Sequence, residues 1–419
     1  LKALSLDVPV LLQQWSQNLP TTPEFLTSCV DFVTEVITLI KTSVENPSSA
    51  PIHEAPKVQK GSNSNDVSTK TVTINKAVVT GAIPEFGWKR VVVPQEKPLP
   101  RRYTTGVLHD HKLYVFGGMS PSKAPLNDLY YFDIDASTWH LVPPKGVVPA
   151  ARYGHSAVIV NDTMLVYGGC GDKNQGAFGD VYSFSFASGE WKVVDVKGQV
   201  PPPRFNHSCV VHHSQLLVFG GSKDQSVHYD DGYVFDIDNA TWTSLNGTGH
   251  KPSNRAGHLS FVLPENGTDY LYIFGGHTGK GGFDILADMS RLNLSNNTWE
   301  EVDASGILPR MGRPIPCIVH NGQVYTYGGY DGKQPQRTLL LFDPKDKKWN
   351  IAKLWLELDE SSLSVTAAVT GSAGMEPTPR YGHAMVLDSK GVLTIFGGSG
   401  STYLNDVMQI DTTPEDEDE

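Results

Sequence analysis

A short apolar run closed by two glycines, Leu113-Tyr114-Val115-Phe116-Gly117-Gly118, limits this chain more than any other feature, because it returns five times. The later copies end at Gly168-Gly169, Gly220-Gly221, Gly275-Gly276, Gly328-Gly329 and Gly397-Gly398. Each run is too short for a helix and rich in β-branched and aromatic residues, so each reads as a strand buried on both faces. The glycines supply backbone that can turn with positive φ or lie close against another segment. Six such strands imply six similar sheets.

Three more strand patterns accompany each copy. An aromatic run follows, as in Asn127 to Asp133, Asp231 to Asp236 and Asn405 to Asp411. A tryptophan comes next, at Trp139, Trp191, Trp242, Trp299 and Trp349. Ahead of the diglycine run lies a strand opened by Arg and His: Arg152-Tyr153-Gly154-His155, Arg204-Phe205-Asn206-His207, Arg255-Ala256-Gly257-His258 and Arg380-Tyr381-Gly382-His383. Four short strands over roughly 50 residues form one unit. The pattern resembles the kelch-repeat β-propeller family over about residues 84 to 412. The resemblance implies an all-β, six-bladed propeller of radial four-stranded sheets. The Arg/His strand (a) would lie at the axis, the diglycine strand (b) and the aromatic strand (c) further out, and the Trp strand (d) at the rim.

Spacing shows how the ring closes. Trp139 to Gly168, Trp191 to Gly220 and Trp299 to Gly328 each span 29 residues, and so does Trp88 to Gly117. No diglycine precedes Trp88, and no tryptophan follows Gly397-Gly398. Trp88 to Val93 is therefore expected to be the outer strand of the last blade, tying the two ends together and removing open sheet edges. Trp349 to Gly397 spans 48 residues. The surplus falls in Lys353 to Gly374, read as an insertion docked over one face.

The propeller is expected over 81–412, preceded by a helical segment (1–45) in which Phe25, Phe32, Val36 and Ile40 keep helical spacing, and by a linker (46–80) rich in Pro, Ser and Asn. The acidic tail 413–419 is expected to be disordered. The chain starts at Leu1, not Met, which suggests a fragment and leaves open whether domains lie outside it. A formal charge of −11 argues against a nucleic-acid partner, and no apolar run is long enough for a membrane span. Four cysteines, no two close together, make neither a disulfide framework nor a zinc site.

In such a propeller the b–c and d–a loops share one face, and the a–b and c–d turns share the other. The resemblance implies that the first face commonly carries the ligand surface. Lys123, Lys173, Lys223, Lys280 and Lys333 put a lysine in each of five long polar b–c loops. Lys123 and Lys173, with His228, Tyr229, Phe283, Tyr330, Arg337 and the insertion's Leu354 and Trp355, are the expected surface for a protein or peptide partner. The plainer reading of any one such loop is solvated turn chemistry.

Arg102, Arg152, Arg204, Arg255, Arg313 and Arg380 are expected at the mouth of the central channel. They would serve as a cationic ring for an acidic peptide or as ties to carbonyls of their own loops, and recurrence in every blade favours the ties. The recurrent histidines are read the same way, since blades at different angles cannot converge them on one metal. In the fifth blade Pro316 follows Arg313 at the interval where others have His. Cys209 and Cys317 each lie eleven residues before a diglycine, at matching buried positions, and no bridge is expected between them.

Of seven N-x-Ser/Thr sequons, Asn161, Asn239, Asn266 and Asn296 fall in a–b or c–d turns, opposite the expected ligand face. They would carry glycans in a secreted protein, although Asn and Thr are also ordinary turn residues. The compartment is unknown, with the cytoplasm slightly favoured and an extracellular or secretory location as the alternative.

Kelch folds also host enzymes. A galactose-oxidase-like copper site needs a Tyr–Cys pair that nothing local provides. The Glu-x3-Asp-x3-His pattern of iron-binding specifier proteins reaches Glu265 and Asp269 but meets Ile273 in place of His. No catalytic residue, cofactor or metal is expected. The combined expectation is a non-enzymatic scaffold or adaptor, with an extracellular adhesion or receptor module as the alternative.

Overall fold

The computed structural model describes residues 88–93, 97–279, 284–309, 311–352 and 377–412. The helical segment, linker and acidic tail expected from sequence lie outside the described residues, as do Lys353 to Gly374 with Leu354 and Trp355, and Phe283 and Lys280. Among the described residues no helix is long and apolar enough to cross a membrane.

Six sheets, each antiparallel through strands a to d, form the six blades. The first contains strands a to d at Thr105–His109, Lys112–Phe116, Leu129–Asp133 and Thr138–Leu141. The second runs through Ser156–Val160, Thr163–Tyr167, Val181–Ser185 and Glu190–Val193. In the sixth, Lys89–Arg90 pairs antiparallel with Val407–Asp411, with Lys89 opposite Gln409. The closing strand is shorter than Trp88 to Val93, but the Val91 amide still donates to the Val407 carbonyl at 2.9 Å.

The core lies between blades. The aromatic residue ahead of each diglycine packs on the tryptophan of the next blade: Phe116 on Trp191, Tyr167 on Trp242, Phe219 on Trp299, Phe274 on Trp349 and Phe396 on Trp139. Tyr327 on Trp88, with ring centroids 5.2 Å apart, completes the ring of six contacts. Each pair adds about 0.5–1.5 kcal/mol beyond its buried area.

One device lies outside the expected four-strand unit. In the third to fifth blades a two-residue strand from the preceding d–a segment pairs parallel with strand d: Lys197–Gly198, Thr248–Gly249 and Ser305–Gly306. Gly146 makes the same contact to Trp191 as an isolated bridge. In each case the glycine stands seven residues after the previous tryptophan. At Gly306 φ is +84°, and an added Cβ would lie 2.1 Å from the Trp349 carbonyl oxygen. Gly306→Ala is therefore expected to release this outermost strand at a cost of about 1–3 kcal/mol. Urea unfolding checks it, and an unchanged midpoint would show that the strand contributes nothing.

Candidate functional site at the channel mouth

Among the described residues five arginines are fully buried: Arg101, Arg152, Arg204, Arg255 and Arg380. Each sits inside its own blade with every guanidinium nitrogen engaged. In Arg152, Nε donates to the Ala150 carbonyl, Nη1 to the Gly168 carbonyl at 2.8 Å, and both Nη atoms to the carboxylate of Asp180 at 2.6 and 3.0 Å. Asp128, Asp231, Asp288 and Asp406 hold the other four in the same way. Aromatic rings cover several of them, with Phe178 4.5 Å from the Arg152 guanidinium carbon and Tyr229 4.6 Å from that of Arg204. Arg152, Arg204, Arg255 and Arg380 thus belong to blade cores and not to the channel mouth.

The first blade's member of this set is Arg101, not Arg102. The fifth blade is also shifted: Cys317 pairs with Thr326, and the Thr326 hydroxyl donates to the Pro316 carbonyl. That register puts Pro316 at the level of Ser156, which pairs with Tyr167, while Met311 bridges to Tyr330 as Tyr153 does to Cys170, so the stretch that holds Arg313 is two residues longer than its counterpart. The interval from Arg313 to Pro316 therefore does not correspond to the Arg-to-His interval of other blades. In an extended segment a shift of one residue turns a side chain to the opposite side. Arg102 leaves the blade interior by this shift, and Arg313 by its place in the longer stretch.

The recurrent histidines tie blades together. His155, His207 and His258 share hydrogen bonds with Thr105, Ser156 and Ser208 of the preceding blade, at 2.8, 3.0 and 2.8 Å. Burial and the adjacent arginine push His155, His258 and His383 well below the usual imidazole range, and His207 down to about 3. Burial pushes the Cys209 and Cys317 thiols up to about 12, and both are free. Strands a enclose a cavity of about 250 Å³ along the axis, lined by these histidines, Cys209 and Cys317.

Above that cavity, on the side of the b–c and d–a loops, lies an aromatic floor between two arginines. Phe205, Tyr153, Tyr103, Tyr381 and Tyr330 follow one another with ring centroids 5.7–6.1 Å apart. Arg102 donates to the Tyr381 hydroxyl at 2.9 Å and lies 4.8 Å from the ring centroid of Tyr403. Arg313 stands 6.0 Å from that of Tyr330. Among the described residues no carboxylate lies within ion-pairing distance of either arginine.

Tyr103 is the unusual member. It takes φ +55° where the equivalent positions are Gly154, Asn206, Gly257 and Gly382. A bulky residue there is strained, and such strain gathers at ligand sites. Burial pushes its hydroxyl up to about 12, against the pull of Arg102 and Arg313. What this mouth offers is positive charge beside π faces, a combination suited to carboxylates and aromatic side chains.

Of the expected binding residues, the structure brings Tyr330 into this floor. Tyr229 covers Arg204, and its hydroxyl donates to the Pro203 carbonyl. His228 is held by the Ser222 hydroxyl and donates to the Gly279 carbonyl. Lys123, Lys173 and Arg337 are exposed on three separate b–c loops. Asn161, Asn239, Asn266 and Asn296 are exposed in their turns. Sequence reasoning misses Tyr103, Tyr153, Phe205 and Tyr381, although each follows the strand-opening arginine motif by one or two residues.

Comparison with known proteins places this architecture. The family described as the KLHDC2/KLHL20/DRC7 Kelch-repeats domain matches residues 60–268, and the Attractin/LZTR1 beta-propeller matches 171–373. "Leucine-zipper-like transcriptional regulator 1 homolog" of Drosophila melanogaster is 30% identical over 268 residues, 62% of this chain and 25% of that protein. "Acyl-CoA-binding domain-containing protein 4" of Arabidopsis thaliana is 27% identical over 55% of this chain and 34% of its own length. "Kelch domain-containing protein 3" of Homo sapiens is 28% identical over 60% of this chain and 70% of its own length. The match thus spans only a quarter to a third of the first two relatives.

Proposed function

Because the chain carries a kelch-repeat β-propeller, we propose that it is a non-enzymatic interaction module that holds an acidic, aromatic-containing segment of a partner protein at the channel mouth. The observation that carries this reading is the pair Arg102 and Arg313, set over the Tyr103–Tyr381–Tyr330 floor without a carboxylate among the described residues. A partner carboxylate there would make charge-assisted hydrogen bonds in a partly desolvated setting. None of the relatives named above bears an enzyme's name.

The test is quantitative. Partners recovered with the full chain should bind at least tenfold more weakly to the Arg102→Glu/Arg313→Glu double variant, and the interaction should weaken with salt. Unchanged affinity in a folded variant overturns the reading. The extracellular alternative has one supporting observation, the exposure of Asn161, Asn239, Asn266 and Asn296 in turns away from the mouth. Glycosidase-sensitive mass on the natural protein would support it, and unmodified mass would remove it.

A further inference from the structure

On the opposite face, in the seam between the third and fourth blades, His212, His213 and Asp269 bring one potential ligand atom each within 4.8 Å of one another. His212 ends strand a of the third blade, His213 follows it in the a–b turn, and Asp269 is the second residue of strand b of the fourth. The His212 Nε2 to Asp269 Oδ2 distance is 2.9 Å, and that from His213 Nε2 is 3.9 Å.

The plain explanation is an inter-blade tie, and the molecule contains its own control for that. His109 and Asp162 stand at the same positions of the first and second blades, 3.2 Å apart. There the seam is filled: the His109 ring stacks on Phe186 at 3.8 Å, and the next residue in the turn is Asp110. In the third and fourth blades two things change. The residue after His212 is His213, which adds a second imidazole. The counterpart of Phe186 is Leu294, which leaves a cavity of about 640 Å³ lined by His212, His213, Asp236, Asp238 and Leu294. His213 also takes φ +53°, where the matching turns use Asn161, Asn266 and Asn321.

We propose that His212, His213 and Asp269 bind a divalent zinc-like cation, with a fourth coordination position open to the cavity. Two imidazoles and one carboxylate are a donor set that zinc favours, and three protein ligands with one open position is a recurrent zinc arrangement. A tetrahedral site with bonds of about 2.0–2.1 Å needs donors about 3.4 Å apart. His213 is exposed and on a turn, so its side chain can close the longer edge by rotation, while the His212–Asp269 edge widens slightly.

Native mass spectrometry and calorimetric titration of the tag-free full chain with Zn²⁺ test this. One tightly held ion per chain is expected. His213→Asn, which suits the turn, and Asp269→Asn should each lower the affinity at least tenfold, whereas His109→Ala in the filled seam should leave it unchanged. Cobalt substitution should give the visible absorption of a tetrahedral site and lose it in His213→Asn. Absence of a bound ion, or undiminished affinity in both His213→Asn and Asp269→Asn, overturns the proposal.

Discussion

Lowering the pH from about 7.5 to about 5.5 is expected to remove roughly 7 kcal/mol of folding stability, about 1.4 kcal/mol for each of five buried histidines. His155, His258 and His383 are held well below the ordinary imidazole range, His207 near 3 and His277 near 4, in each case first by burial. A neighbouring positive charge, or for His277 the imidazole of His228, acts in the same direction. The unfolded chain takes up protons at these sites near pH 6.5, and the native propeller does not. Stability is therefore full above about pH 6.5 and falls as the pH drops towards the native values. Urea midpoints across this range provide the measurement. His258→Gln should reduce the slope, and a flat profile would mean that the histidines are solvated in the native state.

The second large effect concerns the arginine–aspartate clasps. Asp406→Ala is expected to cost about 3–5 kcal/mol, because it strands a buried guanidinium without its carboxylate. Arg380 and Asp406 are 0% and 8% exposed, and their two hydrogen bonds are both 2.9 Å long. Asp288, 42% exposed, meets the same arginine geometry beside water. Asp288→Ala should therefore cost clearly less, as water can take over the lost contacts. Replacing both partners, Arg380→Met with Asp406→Leu, should recover most of the loss, since a buried ion pair and apolar residues of similar size differ little in net stability. Denaturant curves for the three variants decide it. A cost below about 1 kcal/mol for Asp406→Ala would show that the clasp does not stabilise the blade.

Blade number and ring closure are legible in the chain because they rest on spacing. Trp88 has no local strand context of its own, yet its distance to Gly117 matches that of the other tryptophans, and it packs on Tyr327 as the ring requires. The mouth is less legible because the arginines, not the glycines, are the conspicuous marks of strand a. Arg101, Arg152 and Arg204 lie 16 residues before the glycine carbonyl they bind. Arg102 lies one residue later, a shift that reverses the direction of its side chain, and Arg313 lies in a stretch two residues longer than its counterparts. Alignment on the arginines alone therefore groups both with buried neighbours. Replacement of the glycine in Arg-x-Gly-His hints at a role for Tyr103, but its neighbours Tyr153, Tyr330 and Tyr381 come from three other blades. The ligand triad of His212, His213 and Asp269 joins two blades across more than fifty positions, and no local motif announces it.

The pairing of Lys89 with Gln409 has a temporal consequence. A ribosome adding about 5–20 residues per second needs on the order of tens of seconds to make the chain between them. Through that interval the sixth blade lacks its inner strands, and Trp88 lacks the Tyr327 ring against which it finally rests. Contacts this distant in sequence slow folding and prolong the exposure of unpaired edges. Synthesis rate and chaperone occupancy should therefore govern the yield of this propeller more strongly than that of a domain whose ends meet locally.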